Sequence, residues 1–205
     1  MAAPAPRAYV VYGNHNPTPR TTSYESNGSQ NAYADAPTDV AHDVATTSRG
    51  WDLLARGRKH EALLQLATEA KIRPKSGGTK VGYALAAAVS GRLERGVWAM
   101  RRALRTDPYG VRDVQIDDRL RSQVEGLIDQ YAYTYESPEE AVDGAFMSAA
   151  LHFLLRDVEL ADDAITAAVR SDDRKSSTEN LQHMIKEALA AQRREEDDSG
   201  QRTTR

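Results

Sequence analysis

At 205 residues the chain has room for one domain with a sizeable core plus tails, and 40% apolar residues with only 6% aromatics point to an all-α class with close, alanine-rich helix contacts. The absence of cysteine excludes disulfides, a thiol nucleophile and cysteine-ligated metal. The net charge of −3 hides a strong polarity: residues 49–108 carry 13 Lys and Arg against 5 Asp and Glu (+8), whereas 109–205 carry 12 against 21 (−9).

The segment 1–37, rich in Pro, Asn, Ser and Tyr, has no sustained apolar period and is expected to be a disordered tail. Met1 to Ala8 lacks a basic segment followed by an apolar run, and no stretch approaches a membrane span, so the expectation is a cytoplasmic protein with no membrane partner. From Thr38 the pattern changes. Val40, Val44, Thr47, Trp51 and Leu54 share one helical face, and Gly57 ends that helix. His60 to Ile72 reads as a second helix stopped by Pro74, followed by a Gly/Ser-rich turn to Gly78. A third helix over Lys80 to Ser90 is small or apolar on nearly every side and should be buried on several faces. Gly91 makes the next turn. Glu94 to Thr106 then places Gly96, Met100, Ala103 and Leu104 inward, with Trp98 off that line and expected in core packing.

Asp107 to Gly110 reads as a turn, after which Ile116 to Tyr131 gives an amphipathic helix. Ser137, Pro138 and Glu140 form a helix start with a capping box, and the helix that follows runs to about Leu155. Arg156 stands where a turn glycine would be, with Ala161, Ile165 and Ala168 after it. Ser176 and Glu179 open a last helix with one apolar stripe through Leu189, and residues 193–205 are expected to be a charged disordered tail.

One spacing organises these elements. Gly57 and Gly91 are 34 residues apart, as are Pro74 and Pro108, and each glycine is followed five residues later by a small residue, Ala62 or Gly96. That pattern resembles the tetratricopeptide repeat over 46–108, and more weakly over 142–173, where Arg156 and Asp173 replace the turn glycine and closing proline. The resemblance implies a short right-handed α-solenoid of about seven or eight helices over 38–192, whose concave face receives an extended peptide or a partner helix. Carried onto this chain, that face includes Arg49, Asp52, Lys80 and Tyr83, while Gly57, Ala62, Pro74, Gly91, Gly96 and Pro108 are structural. The departures at Arg156 and Asp173 and the extra helix imply a shortened or partly filled groove.

Catalytic chemistry has little to stand on. His15, His42, His60, His152 and His183 offer no pair at i, i+3 or i, i+4, so no metal site is expected, and His152 reads as a hydrogen-bonded packing residue. The acidic doublets at Asp117-Asp118, Glu139-Glu140, Asp162-Asp163 and Asp172-Asp173 are read as helix-end or solvent-face charges. Phosphate-binding glycine motifs and a nucleophile elbow are missing, so neither a cofactor nor an enzymatic activity is expected. Arg92, Arg95, Arg101, Arg102 and Arg105 cluster on one repeat; in an acidic chain with only Trp98 interleaved, they favour an acidic peptide or internal pairing over nucleic acid. The expected role is a protein-interaction adaptor for a protein or peptide partner. The alternative is a homo-oligomer in which the basic half of one copy meets the acidic half of the next.

Overall fold

The computed structural model describes residues 48–133 and 138–203, all within one unit spanning Val40–Arg205. The expected tail, the 38–47 part of the first helix, His15, His42 and Ser137 lie outside the described residues. Among those described, the chain is all-helical: α1 (Arg49–Ala55), α2 (Lys59–Ile72), α3 (Gly77–Val89), α4 (Leu93–Thr106), α5 (Pro108–Arg112), α6 (Asp118–Tyr133), α7 (Pro138–Leu155), α8 (Val158–Arg170) and α9 (Ser176–Thr203).

Three hairpins, α1–α2, α3–α4 and α7–α8, close through the same turn. Gly57, Gly91 and Arg156 all sit in the left-handed region at φ 72°, 78° and 69°. In each turn the next backbone N–H reaches back five residues, from Arg58 to Leu53 O, Arg92 to Ala87 O and Asp157 to His152 O, at 2.9–3.0 Å. That bond and the shorter one beside it satisfy carbonyls that a helix end leaves open. Five residues past each turn come Ala62, Gly96 and Ala161; nine past, Leu66, Met100 and Ile165 are fully buried. The left-handed conformation costs a non-glycine residue roughly 1–2 kcal/mol. Arg156 holds it while donating to the carbonyls of Arg112 (3.0 Å) and Val114 (3.2 Å) on the neighbouring segment.

The helix inserted between the second and third hairpins packs beside α1, α3 and α7. Tyr131 of α6 is fully buried and donates from its hydroxyl to Leu93 O (2.9 Å), and Gln123 donates to Leu54 O (3.3 Å). This contact accounts for Gly96 inside α4. A Cβ there would lie 2.6 Å from the Tyr131 hydroxyl and 3.1 Å from the Ala88 methyl group.

Several local expectations change. α3 begins at Gly77 rather than Lys80, because the Ser76 hydroxyl accepts the Thr79 N–H as an N-cap. α4 ends at Thr106, two residues before Pro108 as α2 ends two before Pro74, but where a turn was expected Pro108 opens the short helix α5, capped by Asp107, whose carboxylate takes the Gly110 N–H (2.9 Å) and the Gly77 N–H (2.8 Å). The stretch 193–203, expected to be a disordered tail, continues α9, since its Ala-, Gln-, Arg- and Glu-rich approach contains strong helix formers and no proline. His152 is half-buried, and its Nδ1 has no hydrogen-bond partner; the nearest carboxylate, on Asp157, is 3.8 Å away.

Candidate functional site

Adjacent residues on a helix point about 100° apart, so Arg101 and Arg102 of α4 face different surroundings. Arg101 faces α7 and α9 and is buried, with 8% of its surface exposed. It bonds Asp143 Oδ1 on α7 (2.6 Å) and Asp173 Oδ2 in the α8–α9 connection (2.7 Å), and donates to Thr178 (3.0 Å) and Ser177 (3.3 Å) at the start of α9. Its guanidinium lies 3.9 Å from the centroid of the Phe146 ring. The Thr178 hydroxyl donates in turn to Asp173 (2.8 Å). Burial pushes the Asp173 carboxyl up, but the Arg101 and Thr178 hydrogen bonds and the charges of Arg101 and Lys175 outweigh it, holding the group below the usual aspartate value. Asp173 is therefore not the helix-end charge expected from its doublet. It is a structural anchor whose place in the repeat is that of the closing proline.

Arg102 faces the other way, into a groove between α2, α3 and α4 of about 280 Å³. Ala67, Ala70, Pro74 and Ala99 form its apolar floor, Tyr83 and Trp98 its aromatic wall, and Lys71, Lys80, Arg95 and Arg102 its charges; no lining residue is acidic. Trp98 is 52% exposed, not in the core as expected, because the inward line of α4 runs through Val97, Met100 and Leu104. Arg102 lies 5.5 Å from its ring centroid, and Arg95 lies 5.6 Å from that of Tyr83, to whose hydroxyl it also donates.

Lys80 is the unusual member of this set. Only 5% of it is exposed, and its ammonium donates to the carbonyls of Pro74 and Ser76. Burial first, then the nearby Arg102 charge, lower its pKa from the usual lysine value, with Asp107 pulling the other way. Among the described residues no carboxylate stands within ion-pair distance of Lys71, Lys80, Arg95 or Arg102.

The four residues expected on one binding face divide between two places. Lys80 and Tyr83 line this groove. Arg49 and Asp52 line a separate, open pocket between α1 and the start of α6, together with Asp117 and Arg119, and Asp52 is paired to Arg56 at 2.9 Å. Arg95, Trp98 and Arg102 join Lys80 and Tyr83 in this groove, outside the expected set. Their spacing of three and then four residues was the available sign that they share a stripe of one helix.

The described residues contain no cluster of His, Asp and Glu able to hold a metal ion, and no described helix is long and apolar enough to cross a membrane. Comparison of the chain with protein-family models, curated proteins and solved structures finds no match.

Proposed function

We propose that this protein is a non-catalytic adaptor built on tetratricopeptide-like helical hairpins arranged as a short right-handed solenoid, and that it binds an acidic protein segment in the groove between α2, α3 and α4. One observation carries the reading. Four cations, three of them exposed, for which no described carboxylate stands within ion-pair distance, share a groove with an exposed tryptophan and no acidic lining. Exposed, unneutralised charge attracts an opposite charge over roughly a Debye length, and the aromatic and alanine surface gives the arriving segment something to bury. The same turn geometry in the three hairpins supports the repeat assignment, and α6 beside α1 and α3 leaves less of the first-helix surface for a ligand.

The test uses the protein's own fluorophores, since Trp51 is buried and Trp98 exposed. Titrating the full chain with a glutamate-rich oligopeptide should shift the Trp98 emission, with an affinity that weakens as salt is raised. Trp98→Phe should abolish the shift. A lysine-rich peptide of the same length serves as the control, and equal responses to both, or no response to either, would overturn the proposal.

A further inference from the structure

The groove's charges have an arrangement as well as a sign. Arg95, Trp98 and Arg102 follow one another at steps of three and four along α4, so the two arginines lie two turns apart, about 10.5 Å along the helix axis, with the tryptophan between them. At the Arg102 end sits the buried Lys80 ammonium; at the Arg95 end, the Tyr83 hydroxyl. The Nε of Arg95 is committed to that hydroxyl, which leaves its terminal nitrogens without a protein partner among the described residues. The site is a line of cation, aromatic, cation, with a buried ammonium behind one end.

An extended chain in the polyproline II form returns a side chain to the same side every third residue, after about 9.3 Å. That matches the arginine spacing to within about 1 Å, a difference that flexible Glu and Arg side chains absorb. An antiparallel or parallel strand would turn residues i and i+3 to opposite sides, and a helix would offer the repeat only at i and i+7.

Resting on the reading that the groove takes an acidic segment, we propose that its ligand is an extended segment with carboxylate side chains at i and i+3 and an apolar residue between them. One carboxylate lies between Arg102 and Lys80, the other against Arg95, and the apolar side chain covers Trp98 and Ala99. The Lys80 ammonium gains a carboxylate in direct contact, where among the described residues only the more distant Asp107 charge acts on it.

The probes are four capped peptides bound to the full chain and read by calorimetry and by Trp98 emission: GELAEG, its isomer GEELAG, the neutral GQLAQG, and GEGAEG, which lacks the apolar side chain. GELAEG should bind at least about tenfold more tightly than GEELAG, a difference of about 1.4 kcal/mol. Arg95→Gln or Arg102→Gln should erase that preference while leaving the melting temperature in place. Lys80→Met should weaken GELAEG by about tenfold, and Lys80→Gln gives the same reading if the methionine variant folds poorly. Equal binding of GELAEG and GEELAG would overturn the spacing while leaving acidic-segment binding intact. Binding by none of the four, with unchanged Trp98 emission, would overturn both. Low-salt self-association that Arg102→Gln abolishes would make a second copy the occupant and overturn the proposal as well.

Discussion

Arg101 and Arg102 are neighbours on one helix and opposites in circumstance. Arg101 is enclosed by Asp143, Asp173, Ser177, Thr178 and Phe146, and joins three helices to one another. Arg102 shares a groove with three other cations and no acid. The +8 of residues 49–108 and the −9 of 109–205 therefore have two fates. Part of the basic surplus is neutralised inside, at the seam between α4 and the α7–α9 region, and another part lines the groove between α2, α3 and α4. The lesson is that charge segregation along a chain does not by itself say which charges bind a partner; burial and the presence of a carboxylate separate the two roles.

The most damaging way to break the contrast is to unmake the Arg101 side. Asp173→Ala leaves a buried guanidinium with Asp143 as its only full partner, and removing one member of a buried ion pair costs about 3–5 kcal/mol. Chemical denaturation should show that loss, and thermal melts a fall of about 2–4 °C for each kcal/mol. Acid should reach the same contact without mutation. The Asp173 pKa is lowered in the folded state, so its contribution is fully present above the unfolded aspartate value of about 3.9 and is lost as pH falls through the folded value. Stability measured from pH 6 downward should drop in that window, and Asp173→Asn should flatten the drop.

Arg156 sharpens the comparison as a cation that carries structure through carbonyl acceptors. Replacement by glycine relieves the left-handed strain and loses the bonds to Arg112 and Val114; replacement by alanine loses the bonds and keeps the strain. Glycine should therefore be the more stable variant by about 1 kcal/mol, the reverse of the order inside a helix, and urea midpoints would decide.

Much of the fold was legible because it rests on local rules. The 34-residue spacing of Gly57 and Gly91 located two turns, and the same offsets placed Arg156 in a third without any glycine to mark it. The inward residues of α4 followed from helical period. What could not be read came from contacts distant in sequence. Nothing near Asp173 announces that Arg101, seventy-two residues earlier, neutralises it, and an aspartate doublet reads more simply as a helix end. Trp98 is the exception, since the local signals conflict: hydrophobicity sends tryptophan inward, whereas its phase on α4, off the inward line, sends it out. The grouping of Arg49, Asp52, Lys80 and Tyr83 assumed that the first helices of successive hairpins share one open face, and α6 stands beside that face.

The smallest expected effect on stability bears most directly on the groove. Lys80 is buried with no carboxylate within ion-pair distance among the described residues, so its charge is held against a desolvation cost that two carbonyl hydrogen bonds and the more distant Asp107 offset only in part. Lys80→Met keeps the length and the apolar stem while removing the charge. The carbonyls of Pro74 and Ser76 lose a donor, but both lie at an edge where water can replace it. These terms oppose one another, and the net change in folding free energy should stay within about 1 kcal/mol of zero, against the 3–5 kcal/mol expected for Asp173→Ala. A loss as large as that of Asp173→Ala would mean that Lys80 is a structural cation like Arg101, and the groove would lose its claim to a charge held for a ligand.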